Sequence, residues 1–316
     1  MSSPAEPGPG VLVVVGDLLE DIVVWATEPI RAATDSAARV FRSRGGSAAN
    51  VAAHAANRTP TRFIGRVGDD GAGAALVSAL ASGGVDVRAQ REGRTGAVVL
   101  IVAPDGERTM FPDRASAAEL ADVDAGWLDG IAWLHAPSYG LEHDPMRSEV
   151  RRLIALARER GARVSIDASS TGLIDGLGVA RVAGWLAELR PDVLFANETE
   201  AELLGIDGGG RAAASVAARV VVKHGPRPTE VFDAGEPVAR VPVPPVAEVR
   251  DLTGAGDAFA AGYLAAALAG ADAGSACAAG HGLAASVIAS PGGDVEPERP
   301  RPAPGAHAVH RRDGRF

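Results

Sequence analysis

From about residue 125 the chain repeats one local pattern. A short aliphatic or β-branched run is followed by a stretch with helical spacing, then by another run. "IAWLHA" (131–136), "RVSIDA" (163–168), "VLFANE" (193–198) and "RVVVKHG" (219–225) read as strands. "DPMRSEVRRLIALARERG", "LGVARVAGWLAELR" and "TEAELLG" between them read as helices. Strands this apolar are buried on both faces, and strands alternating with helices imply a parallel sheet covered on both sides. Right-handed crossovers then make a doubly wound, three-layer α/β fold. "VLVVVG" (11–16) is a strand of the same kind. The segments 16–40 and 94–113 break the rhythm. "GAVVLIVAPDGERTMF" (96–111) reads as a hairpin with Pro-Asp-Gly at its tip, so these segments are expected to form a small sheet projecting from the main one. The expected organisation is a disordered tail over 1–10, one domain over 11–295, and a Pro/Arg-rich disordered end over 296–316.

Composition narrows the function. Among 316 residues, 47% are hydrophobic and the formal net charge is −9. A sizeable core can form, and nucleic acid or an anionic membrane is disfavoured as a partner. The single cysteine, Cys277, permits no internal disulfide and no cysteine metal site. The start of the chain lacks the pattern of a signal peptide, and the apolar run 258–271 is too short to span a bilayer, so a soluble, cytoplasmic protein is expected. The one lysine, Lys223, lies between Val222 and His224, so no Gly-Lys-Ser/Thr phosphate loop exists. "VVVGDLLED" lacks the Gly-x-Gly-x-x-Gly of a dinucleotide-binding oxidoreductase.

Three short stretches carry chemistry. In "DLTGAGDAFAAGYL" (251–264), Gly254, Ala255 and Gly256 precede Asp257 and an alanine-rich helix pattern. Glycines let the backbone approach a ligand, and unpaired amides at a helix start favour an anion. An aspartate there suits a base that takes a proton from a hydroxyl while the amides hold a phosphoryl group. Alone, the stretch fits a helix N-cap at least as well. "GGSAAN" (45–50) offers Gly45 and Gly46 for close contact and Asn50 as donor and acceptor for sugar hydroxyls; a plain loop-to-helix turn is the alternative. "NETE" (197–200) gathers oxygen ligands suited to hydrated Mg²⁺ at a strand's C-terminal end, or simply acids at a helix start.

Together, in this order, the stretches resemble the ribokinase-like, pfkB-type carbohydrate kinases over roughly residues 11–294. The N-terminal signature is "GGSAANVAAHAA" running on to "FIGRVGDDGAG"; the C-terminal one is "DLTGAGDAFAAGYL". The resemblance implies a ribokinase-like fold with a β-sheet lid, and ATP-dependent transfer of a phosphoryl group to a sugar hydroxyl, expected to be a primary one. It implies Asp257 as catalytic base and Gly254, Ala255 and Gly256 as anion hole. Asp21, Gly45, Gly46 and Asn50 fall on the sugar side. Asn197 and Glu200 match an Asn-x-x-Glu motif that governs Mg²⁺ and phosphate, largely through water. Lys223, Gly225 and the alanine-rich region around Ala279, His281, Gly282 and Ala285 fall on the nucleotide side. Asp251 and Thr253 match positions lining a monovalent-cation site, implying K⁺ in many members. The lid closes over the sugar and excludes water, and it implies a homodimer.

The chain departs from the pattern on the nucleotide side. "SIDASS" has Ser169 where asparagine is frequent. "KHGPRPTE" (223–230) keeps Gly225 but lacks a second glycine, with Pro226 and Pro228 stiffening the loop. These changes leave open a weakly active or purely binding member, or a nucleoside kinase of the same family. Arg114, near the expected substrate contacts, suits an acidic or phosphorylated sugar, or else a salt bridge. Trp25 in the lid fits a core or dimer role. His135 reads as a strand-end residue and His281 as a packed one.

Overall fold

The computed structural model describes residues 10–105, 107–249 and 252–289. The N-terminal tail up to residue 9, the whole Pro/Arg-rich end and Asp251 lie outside them. In chain order, β1 (Val11–Val15), β2 (Leu19–Ala26) and β3 (Ala38–Gly45) precede α1 (Ser47–Ala55). There follow β4 (Thr61–Val67), α2 (Gly71–Ser82), β5 (Asp86–Arg91), β6 (Ala97–Val102) and β7 (Arg108–Asp113). The second half holds β8 (Ile131–Pro137), α3 (Met146–Glu159), β9 (Arg163–Asp167), α4 (Thr171–Leu177) and α5 (Val179–Leu189). Then come β10 (Val193–Asn197), α6 (Glu198–Leu204), α7 (Gly210–Val216) and β11 (Arg219–His224). The chain continues through β12 (Arg227–Asp233), β13 (Glu236–Val241), α8 (Ala255–Leu268) and α9 (Ala273–Ala289).

Alternation along β1 sets the layers. Leu12 and Val14 pack into a core with α1, α2, α8 and α9, while Val13 and Val15 pack into a second core with α3 and its neighbours. The sheet order is β13-β12-β11-β10-β9-β8-β1-β4-β5. Its seven strands from β11 to β5 are parallel, as the doubly wound reading requires. The order reverses at β1, so the crevice lies at the C-terminal ends of β1 and β8 to β11.

Two differences from the sequence reading are local. β12 and β13 are antiparallel additions after a two-residue turn at Gly225 and Pro226. Pro228 therefore sits inside β12 rather than in a stiffened loop. Gly225 has φ +60°, which is what a glycine supplies at such a turn. Helix α8 begins at Ala255, placing Asp257 in its first turn rather than at its start.

The two irregular segments form a separate four-stranded sheet, β3-β2-β6-β7. β2 pairs antiparallel with β3 and parallel with β6, and β6–β7 is the expected hairpin. The first segment runs on to Gly45, past the boundary expected at 40, because β3 feeds directly into α1. The alanine and glycine richness of α8 and α9 is a packing requirement. A Cβ on Gly262 would lie 2.7 Å from the Ala279 carbonyl oxygen, and one on Gly280 would lie 2.8 Å from that of Phe259. Cys277 is buried there as a small core residue. No described helix is long and apolar enough to cross a membrane.

Candidate active site

A cavity of about 1380 Å³ opens between the C-terminal edge of the large sheet and the small sheet. It is roomy enough for a nucleotide and a small second ligand together. Asp21, Gly46 and Asn50 line one end. Thr253, Gly254, Ala255, Gly256 and Asp257 line its middle, with Asn197, Glu200, Lys223 and Gly225 beyond them. Gly45 is buried behind this wall, and Gly282 is exposed and does not line the cavity. Its helical neighbours His281, Ala284 and Ala285 line it instead.

Asp257 is not a helix cap. The N-cap of α8 is Gly254, at φ +74°, and no side chain caps the helix. After a turn closed by Ala255 N to Leu252 O at 3.2 Å, the first bond of the helix ladder is donated by Ala258 N to Gly254 O at 2.9 Å, so the amides of Gly256 and Asp257 come before it. The Asp257 carboxylate instead accepts hydrogen bonds from Ser47 Oγ (2.7 Å) and Asn50 Nδ2 (3.0 Å), both on α1. Burial pushes its pKa up to about 6, against the pull of those two donors. Such a carboxyl is ionised at neutral pH yet a better proton acceptor than an ordinary aspartate.

Asp21, on β2, is the second perturbed acid. Burial raises its pKa to about 6, partly countered by the Arg44 guanidinium. The glycine pair makes room here. A Cβ on Gly45 would sit 2.0 Å from Asp21 Oδ1, and one on Gly46 would sit 2.3 Å from the Asp17 carbonyl oxygen. Asn50 is already engaged on both sides, since Oδ1 accepts from Arg44 Nη1 at 2.8 Å while Nδ2 holds Asp257.

On the other side, β9, β10 and β11 end side by side, and their registers bring Asp167, Asn197 and Lys223 together. Lys223 Nζ pairs with Asp167 Oδ2 at 3.1 Å and reaches within 3.4 Å of where a Gly256 Cβ would be. Burial alone would lower its pKa, but Asp167 and Glu200 outweigh it and hold the ammonium charged. Glu200 is buried, which together with Asp167 raises its pKa. Asn197 and Glu200 form a capping box at the start of α6. Asn197 N and Nδ2 donate to the Glu200 carboxylate at 2.8 and 2.7 Å, and Glu200 N donates to Asn197 Oδ1 at 2.9 Å.

That closed pair tests the metal reading. Among the described residues no group of three or more His, Cys, Asp or Glu side chains could hold a metal. The oxygens at hand fit a Mg²⁺ that keeps its water and arrives with phosphates, rather than a cage of protein ligands. Asp251 lies outside the described residues. Thr253 is exposed and its Oγ1 accepts from Arg108 Nη1 of the small sheet at 3.3 Å, so the lid touches the glycine loop.

Sequence reading missed several members of the site. Ser47 is ordinary in its local context, and only the fold brings it to Asp257; Asp167, kept in "SIDASS", is brought to Lys223. Arg114 is half-buried in the cavity wall, gripping Asp17 through two 2.8 Å hydrogen bonds. His281 is packed as expected, its Nε2 2.9 Å from Thr229 Oγ1. His135 lies inside β8 rather than at its end, fully buried against Ser165 Oγ at 2.9 Å. Trp25 is 43% exposed on the lid.

The sequence profile described as pfkB family carbohydrate kinase matches residues 11–299. A fructokinase of Klebsiella pneumoniae is 31% identical over 269 residues, covering 81% of this chain and 84% of its own. An ATP-dependent ribose-1-phosphate kinase of Halopiger xanaduensis is 34% identical over 233 residues, covering 71% and 73%. Among solved structures, an adenosine kinase from Sinorhizobium meliloti superposes with a TM-score of 0.79 at 22% identity, over 90% of this chain and 95% of that one. A putative ribokinase II from E. coli, in complex with ATP and Mg²⁺, gives 0.75 at 23% identity, over 89% and 93%. At such identities the structural likeness speaks for the ribokinase-like fold.

Proposed function

From the premise that this chain belongs to the pfkB family of carbohydrate kinases, phosphotransferases with a hydroxyl acceptor, we propose that it moves the γ-phosphoryl group of ATP to a primary hydroxyl of a sugar, with Asp257 as general base. One observation carries this reading: the Asp257 carboxylate, with its pKa raised to about 6, stands in the first turn of α8 beside amides that precede the helix ladder. Asp21 and Asn50 orient the sugar. Asp257 takes the hydroxyl proton, and the amides of Gly256 and Asp257, with Lys223, receive the charge on the phosphoryl group.

ATP lies along the half of the cavity lined by Gly225, His281 and Ala284. Asn197 and Glu200 would hold Mg²⁺ through water, where the ion would neutralise phosphate charge. A monovalent cation near Asp251 and Thr253 belongs to the same reading. The lid excludes water from the reaction and carries the contact that pairs two copies, a role supported by its exposed Val40 and Phe111.

The test is ADP release with ATP·Mg²⁺ across a panel of sugars and nucleosides, for the wild type and Asp257→Asn. Turnover with one acceptor, lost in the variant, is expected; retained turnover in the variant would overturn the assignment of the base.

A further inference from the structure

We infer that the acceptor end of this cavity takes an uncharged sugar or polyol and turns away sugar phosphates. The inference rests on the sugar-kinase reading above and specifies its substrate class.

Among the described residues that line the cavity, Arg114 and Lys223 are the cations of permanent charge. Lys223 stands at the far end, against Asp167. At the acceptor end, Arg114 is the described lining cation placed to receive a phosphate on the acceptor. It is already spent. Nε donates to Asp17 Oδ2 and Nη2 to Asp17 Oδ1, both at 2.8 Å, which is the two-pronged geometry a phosphate would need. Nη1 lies 3.4 Å from Glu142 Oε2, and Nη2 lies 3.0 Å from Met146 Sδ. The side chains of Arg114 and Asp17 are only 14% and 8% exposed, so water does little to loosen the pair.

Charge points the same way. One guanidinium faces two carboxylates, leaving the Asp17–Arg114–Glu142 cluster net negative, and Asp21 adds a further acid at the same end. Arg44 donates to Asn50 Oδ1 at 2.8 Å and does not line the cavity, but its charge partly offsets that of Asp21, so the negative balance of this end rests on the Asp17–Arg114–Glu142 cluster. A phosphate dianion would meet these carboxylates across a cavity of low dielectric, where like charges repel strongly. A sugar hydroxyl meets the reverse: carboxylate oxygens accept the protons it offers. Val98, Met110 and Pro112 of the lid close over the same end with apolar surface suited to a carbon skeleton.

The experiment compares D-fructose, D-ribose and D-glucitol with fructose 1-phosphate, fructose 6-phosphate and ribose 1-phosphate, by ADP release and in parallel by titration calorimetry. A neutral compound is expected to exceed every phosphate ester by at least ~100-fold in kcat/KM. Tighter binding or faster turnover of any ester than of its parent would overturn the inference while leaving the kinase reading intact. Binding of neutral compounds without ADP release would do the opposite. Asp17→Asn, which loosens the two-pronged hold on the guanidinium, and Glu142→Gln, which removes one of the two carboxylates facing it, should each narrow the gap by about tenfold. A gap that stays fixed in both folded variants would refute the role given to Arg114.

Discussion

Asn50 Nδ2 donates to Asp257 Oδ2 at 3.0 Å, joining the two family signatures across 207 positions of sequence. With Ser47 Oγ on Oδ1, it holds the carboxylate at the cavity rather than over its own helix. Asp257→Asn keeps that geometry but removes the base, so kcat should fall by ~10²–10⁴ while the KM for the sugar changes little. Steady-state kinetics with the preferred acceptor checks this; an Asn variant within threefold of wild type would remove Asp257 from the chemistry.

The two donors pull the pKa of Asp257 down against burial. In the wild type the acidic limb of kcat should have its midpoint near pH 6. Ser47→Ala removes one donor and should move that limb to higher pH, with the alkaline plateau largely kept. A pH–rate profile of both proteins decides it, and an unmoved limb would mean that another group is titrating.

Lys223, half-buried in the cavity wall, feels the carboxylates of both Asp167 and Glu200. Lys223→Met leaves two like charges facing each other without a cation and should destabilise the fold by ~3–5 kcal/mol. Adding Asp167→Asn should restore much of that stability but not the rate, because the charge beside Gly256 stays lost. Urea unfolding together with kcat for the single and double variants separates these roles.

Gly45 and Asp21 form one unit, since the glycine exists to clear space for the carboxylate. Gly45→Ala would drive a methyl group to 2.0 Å from Asp21 Oδ1. It should therefore mimic Asp21→Ala, raising the sugar KM about 10–100-fold with a smaller loss in kcat. If only Asp21→Ala raised KM, the glycine would have to serve another purpose.

The parallel core of the fold was legible because its strands are buried on both faces and so spell continuous apolar runs. β5 ("DVRAQR"), β3 ("ARVFRSRG") and β12 ("RPTEVFD") were not, because edge and lid strands expose side chains and carry Arg, Asp and Pro. The site divides likewise. Asp257, Asn50 and Glu200 announce themselves through nearby glycines or acids. Ser47, Asp167 and the Asp17–Arg114 pair owe their roles to partners far along the chain, 97 positions apart in the last case. Of the α9 region expected beside the nucleotide, His281 and Ala285 line the cavity, while the rotation of the helix leaves Gly282 outside.

Catalysis and stability should oppose each other at this site. Burial raises Asp257 and Asp21 from an ordinary value of 3.8 to about 6, so the folded protein binds their protons more tightly than the unfolded chain does. Their contribution to stability is thus most favourable below about pH 4. It declines as pH rises from there to about 6, and stays low at higher pH, where the ionised base is needed. Asp257→Asn removes that cost, so its Tm should exceed the wild-type Tm at pH 7.5, and the difference should shrink to nothing near pH 4. Comparing the two proteins at each pH cancels the other titrating groups. Calorimetric melts at both pH values check this, and a variant equally or less stable at pH 7.5 would mean that the ionised carboxylate is not strained by its burial.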